Sequence, residues 1–245
     1  IRILSWPLDG EGSNWTKSMA AWDGAHYLKL FDGGYYERNP SCAFYPLWPT
    51  CIHWGEKLFS GMPVITGLIL NVIFSVAGWT LFYKIVRSRW NERVARYSFL
   101  ALVCYPGALF FHFIYSEALF FLLVMGVWWG LERRQPGVAF ICALLAPLTR
   151  GVGLFLVLPL AWYWIQLRPW AWLDRISWPK WWRKERAITQ EKSFLNESNA
   201  RNCKTLEYLL PMAPILGWGS YLLMMQWWTG NYWEGVAAQK YWGNA

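Results

Sequence analysis

From Tyr97 to Leu131 the chain runs 35 residues with no Lys, Arg or Asp and a single Glu, Glu117. As one helix this run would be about 52 Å long at 1.5 Å per residue, against a hydrocarbon core of roughly 30 Å. It has to fold back. Two breaks are on offer, Tyr105-Pro106-Gly107 and Tyr115-Ser116-Glu117. Proline interrupts a helix ladder, and an acidic residue suits a helix start. The run therefore reads as two short helices, 97–114 and 115–131, meeting near residues 112–117.

The surroundings fit a bilayer. Only 16% of the 245 residues are charged and 56% are hydrophobic, whereas a soluble domain carries about 25% charged residues. The 21 Trp suit interfacial belts, where the ring is buried and its N–H stays wet. Further apolar segments cover 62–86, 137–149, 152–167 (hinged on the one before at Arg150-Gly151) and 209–228. The expectation is an all-α polytopic membrane protein with about six membrane helices. Residues 1–61 form an extracytoplasmic first loop with short helices of its own.

Charge sets the orientation. Sixteen basic residues fall in three places: Lys84 to Arg96, Arg133-Arg134, and Arg168 to Lys204. By the positive-inside rule these face the cytoplasm. The first loop, the Tyr-Ser-Glu turn, Arg150 and the tail 229–245 then share the other face. The loop 168–208 opens rich in Trp and basic residues, as an amphipathic segment on anionic headgroups does. The net charge of +8 does not indicate nucleic acid, because no basic stripe is interleaved with base-stacking aromatics. Cys42 and Cys51, in the same polar segment, are candidates for a disulfide in an oxidising compartment.

Carboxylates at a membrane edge are costly unless solvated, paired or used. Asp23 and His26, three apart, share one face of a short helix. They read either as a capping Asp with an incidental His, or as a general base with a partner that orients it or binds phosphate. Asp9 is the best second carboxylate, because Pro7 and Gly10 frame it in a turn. Glu117 reads as a complement to its helix dipole or as a substrate contact. Arg150 is either a snorkelling side chain or a phosphate-neutralising guanidinium at a Gly-flanked hinge. Lys240 is a phosphate contact or a headgroup anchor. No GxGxxG, Walker loop, GxSxG or HExxH occurs, which removes nucleotide-dependent and common hydrolase chemistry. Asp9, Asp23 and His26 match no metal-ligand spacing.

Trp22-Asp23-Gly24-Ala25-His26-Tyr27, Gly34-Tyr35 and Ala43-Phe44-Tyr45-Pro46-Leu47-Trp48-Pro49 together resemble the first luminal loop of the GPI mannosyltransferase 2 (PIG-V) family. Tyr115-Ser116-Glu117, Leu131-Glu132-Arg133, Thr149-Arg150-Gly151-Val152-Gly153 and Gln239-Lys240-Tyr241-Trp242 are similar to later signatures of that family. The resemblance implies a GT-C type glycosyltransferase, incomplete at both ends here. Such an enzyme moves mannose or a similar hexose from a polyprenyl-phosphate sugar to a glycan or glycolipid acceptor at the non-cytoplasmic face. It implies Asp23 as catalytic base with Trp22 and His26 shaping its pocket, Glu117 and Arg150 on the donor side, Arg150 or Lys240 at the lipid phosphate, and Tyr27, Tyr45 and Gln239 as further substrate contacts. No cofactor or metal is expected, and membrane lipids are the other partners. The short loops tilt the expectation to a prokaryotic relative in a bacterial inner membrane, with the ER membrane as alternative. A transporter or lipid-handling protein, or a non-catalytic subunit, is the competing reading.

Overall fold

The computed structural model describes residues 22–58, 62–167 and 206–241. Asp9, the loop from 168 to 205 and the end of the tail lie outside them. The described residues are helical, with no strand among them.

Two short helices, α1 (Asp23–Gly33) and α2 (Leu47–Glu56), flank a 3-10 turn at Pro40–Ala43. The long helix α3 (Pro63–Arg89) follows, and then α4 (Glu92–Cys104), α5 (Glu117–Glu132) and α6 (Pro136–Leu145). After 3-10 turns at Ala146–Leu148 and Gly151–Leu156 come α7 (Val157–Leu167), α8 (Met212–Thr229) and the short α9 (Glu234–Ala238). Proline opens α3 and α6, where its missing N–H costs nothing. Arg87 and Arg89 close α3 and complement its dipole. Gly230 ends α8 in the left-handed conformation at φ 77°, the usual role of a glycine there.

The expected helix over 97–114 is corrected. The α4 helix begins earlier and stops at Cys104, and Pro106–Phe111 is a 3-10 helix. The reason is Pro106, which pushes the preceding Tyr105 out of the α region, to φ −66° and ψ 132°. The segments expected as 137–149 and 152–167 likewise end and begin in 3-10 turns, at Ala146–Leu148 and Gly151–Leu156. Cys42 and Cys51 are free thiols, so the candidate disulfide is not formed. The Cys42 thiol instead donates to the Tyr36 carbonyl at 3.3 Å.

Packing around α3 runs opposite to that of a water-soluble helix. Its buried face carries Thr66, Gly67, Asn71, Ser75 and Gly78, while Val72, Ile73 and Val76 are exposed. Asn71 donates its amide to the Phe113 carbonyl, and Ser75 donates to the Phe111 carbonyl at 3.2 Å. These bonds satisfy carbonyls that the broken run between α4 and α5 leaves outside a ladder. Close approach elsewhere depends on small residues. Gly126 and Gly130 of α5 sit against Cys142 and Ala139 of α6, and Gly217 of α8 sits on the Leu144 carbonyl. Such small-residue contacts let membrane helices approach one another. Alpha-3 and α5 are clamped at their basic ends by Arg89 Nε and Glu132, 2.5 Å apart.

Alpha-1 and α2 lie over one end of these helices. Tyr27, Leu28, Trp48 and Ile52 share a core with Val64, Ile114, Leu119, Leu123 and Ala146. The first loop is therefore seated on the starts of α3 and α5 and the end of α6.

Candidate active site

Three segments far apart in sequence converge beneath α1. Asp23 begins the helix and is half-buried. Tyr27, one turn on and on the same face, is 5% exposed. Its hydroxyl donates to Ser116 Oγ at 2.8 Å, pinning α1 to the corner where α5 starts. The next residue, Glu117, forms an ion pair through Oε1 with Arg150 Nη1, so the hinge between α6 and α7 joins the same place.

Arg150 is held there by its backbone. Its N–H donates to the Ala146 carbonyl at 3.2 Å, and its own carbonyl accepts from Gly153 at 2.8 Å. Gly151 is required for a steric reason. A Cβ there would lie 2.3 Å from the Tyr45 hydroxyl, far inside van der Waals contact. Tyr45 in turn is braced by the Tyr221 ring at 4.5 Å and by a hydrogen bond with the Trp218 side chain.

The charges feel one another. Burial raises the Asp23 carboxyl above its ordinary range, and Arg150 and then His26 partly offset that effect. Burial is also the largest influence on His26, lowering it with help from Lys29 against the pull of Asp23. Burial disfavours the Arg150 cation, yet Glu117, with Tyr27 and Asp23 behind it, more than reverses this, so its pKa is raised. Burial holds the Tyr27 phenol well above its usual value, making it a neutral donor at any working pH. A carboxylate of raised pKa is a better proton acceptor than an ordinary Asp, provided it is ionised. The neighbouring guanidinium favours that ionised form without outweighing burial, and engages Glu117 through one nitrogen of a fork with five N–H donors.

The other expected site residues take varied places. Trp22 is highly exposed beside Asp23, at φ 53°, a backbone state non-glycine residues seldom adopt. The His26 ring stacks on Phe44 at 5.1 Å, with Nδ1 3.0 Å from Ser41 Oγ. Tyr27 and Tyr45 serve as a clasp and a wedge. Gln239 donates to the Ala43 carbonyl at 3.2 Å, and Lys240 lies 5.1 Å from the Tyr241 ring centre. Gln239 is thus tied to the Pro40–Ala43 turn, where Ala238 packs with Cys42 and Ala43. Ser116, Trp218 and Tyr221 are not singled out by the sequence reading, and Gly151 enters it only as part of the hinge. Ser116 at least sits within the quoted Tyr-Ser-Glu motif, but nothing in the sequence ties Trp218 or Tyr221 to residue 45. Among the described residues no three His, Cys, Asp or Glu side chains gather as a metal site would need.

Comparison with known proteins supplies the family. The chain is 28% identical over 109 residues to "GPI mannosyltransferase 2" of Drosophila pseudoobscura pseudoobscura, a match covering 40% of this chain and 24% of that protein. It is 29% identical over 147 residues to "GPI alpha-1,6-mannosyltransferase 2" of Cricetulus griseus, covering 56% of this chain and 29% of that protein. The chain therefore matches less than a third of the length of either relative. No solved structure matches it. The sequence model of the family described as "Mannosyltransferase (PIG-V)" matches residues 9–176, which include Asp23, Glu117 and Arg150, and the chain belongs to that family of glycosyltransferases.

Proposed function

We propose that this chain carries the catalytic face of an integral-membrane mannosyltransferase. It would take mannose from a polyprenyl-phosphate mannose and hand it to a glycolipid acceptor at the non-cytoplasmic face. The observation that supports this best is the convergence of Asp23, Glu117 and Arg150, from three separate segments, within electrostatic reach of one another. In this reading the Asp23 carboxylate takes the proton of an acceptor hydroxyl. The oxygen attacks the anomeric carbon of mannose, the bond from that carbon to the phosphate oxygen breaks, and the electron pair leaves with the lipid phosphate. Configuration inverts. Arg150 offsets the growing charge on the phosphate, and Glu117 holds the guanidinium in register.

Family membership favours transfer over the transporter and subunit readings. The embedding in several helices is part of the proposal. Pro63–Arg89 is the one helix among the described residues long and apolar enough to cross alone, and Pro136–Leu148 and Gly151–Ile165 are shorter apolar helices. The small and polar inner face of α3 and its apolar outer face support a lipid surrounding for the group. Both relatives are animal proteins, which gives an ER membrane more support than a bacterial one.

The test is mannose transfer from dolichyl-phosphate mannose into a GPI-precursor lipid, in membranes bearing the intact protein. Asp23→Asn should lower turnover about 10² to 10⁴-fold, the usual contribution of a general base. Turnover within threefold of wild type would remove Asp23 from that role.

A further inference from the structure

Tyr115 opens the Tyr-Ser-Glu corner, and the proposed chemistry gives it no role. Its side chain is 4% exposed, with the ring stacked on Phe110 at 5.6 Å and tilted against Phe113 at 5.9 Å. The hydroxyl oxygen accepts a hydrogen bond from the backbone N–H of Asp23. That N–H is among those a helix start leaves without a partner, and Trp22 before it offers no side-chain cap. Two successive corner residues thus grip the first turn of α1 at both ends, Tyr115 at Asp23 and Ser116 at Tyr27.

The first grip falls on a strained peptide. Trp22 stands at φ 53° and ψ −122°, a costly state for a residue with a Cβ, and one that persists only where the surroundings hold it. The ψ of Trp22 sets the direction of the Asp23 N–H, so a fixed acceptor for that N–H also fixes the torsion. Without it Trp22 would return to negative φ, and the first residue of α1 would swing out toward water. We infer that Tyr115 is a positioning residue, whose hydroxyl holds the Trp22–Asp23 peptide in this conformation and so keeps the Asp23 carboxylate half-buried and within reach of Arg150. The inference rests on the transfer reading above and gives the corner a second task besides carrying Glu117.

The experiment follows mannose transfer from dolichyl-phosphate mannose into a GPI-precursor lipid, as a function of pH, by the intact protein and three variants. Tyr115→Phe keeps the packed ring and deletes only the acceptor. Its kcat should fall about three- to tenfold, the worth of one hydrogen bond, with KM for the donor unchanged. The charged groups acting on the Asp23 carboxyl are Arg150, which also engages Glu117, and His26; the Tyr27 and Tyr115 phenols lie near it. Burial, which raises its pKa, outweighs them. A carboxylate released toward water loses that influence, so the acid limb of the rate profile should move to lower pH. Tyr97→Phe, an exposed tyrosine of α4, should change neither kcat nor the limb. Wild-type kcat in Tyr115→Phe, or a lowered kcat with an unmoved limb, would overturn the inference, whatever happens to the unfolding temperature. A wild-type protein that transfers no mannose, or Asp23→Asn as fast as wild type, would instead overturn the transfer reading.

Discussion

Adding a single methyl at residue 151 tests whether the Arg150 hinge is built to a tolerance. In Gly151→Ala the new Cβ would fall 2.3 Å from the Tyr45 hydroxyl and 3.0 Å from the ring carbon that bears it. Carbon and oxygen settle at about 3.5 Å, so roughly 1 Å must be found. Tyr45 is poorly placed to give it, with the Tyr221 ring at 4.5 Å and Trp218 bonded to its hydroxyl. The displacement therefore falls on the backbone at 150–151 and carries the guanidinium away from Glu117 and Asp23. Overpacking of this kind costs about 1–3 kcal/mol of stability, and a misplacement of 1 Å at a reacting centre costs about 10²-fold in rate. The assay pairs thermal unfolding in detergent with mannose transfer by the intact protein. Tyr45→Phe supplies the control. It removes the clashing oxygen and costs about 1 kcal/mol by leaving the Trp218 N–H without its acceptor. Combined with Gly151→Ala it should restore most of the rate, a coupling of about 1–2 kcal/mol in the double-mutant cycle. Wild-type turnover in Gly151→Ala, or no rescue in the double variant, would refute the hinge argument.

Two further expectations follow from the same geometry. In the proposed mechanism Asp23 is a base only when ionised, so the acid limb of the rate profile should track its raised pKa. Arg150 lowers that pKa, so Arg150→Gln should move the limb to higher pH as well as slow the reaction, and an unmoved limb would uncouple the two residues. On α8, Gly217→Ala places a Cβ 2.0 Å from the Leu144 carbonyl, a backbone atom, whereas Gly219→Ala meets nothing within 4 Å. The first should lower the unfolding temperature by the equivalent of about 1–3 kcal/mol and the second leave it near wild type; similar behaviour in the two would discredit the α6–α8 contact.

What could be read from the chain alone was local. Pro106 stops a helix wherever the chain goes, because it constrains its own φ and the conformation of the residue before it. Even so, the sequence reading carried that helix to 114, because apolar character continues through a 3-10 turn as readily as through an α-helix. Glu117 and Arg150 each had a bland and a functional reading of similar weight, since a lone charge beside an apolar run looks the same whether it snorkels or pairs. The family signatures named the segments that matter, but gave no means of separating Tyr27 as a buried clasp from Tyr27 as a substrate contact.

The sequence by itself determined the helical, lipid-compatible character of the chain, its breaks and its unusual charges. Those depend on residue type and near-neighbour geometry, which are present before folding. Only the tertiary structure decided that Ser116 meets Tyr27 across 89 positions, that Glu117 takes Arg150, and that Tyr45 wedges against Gly151. It also decided that Gln239 is spent on a backbone carbonyl. Those pairings depend on which helix faces lie together, and side-chain volumes summed over the whole packed group fix that outcome.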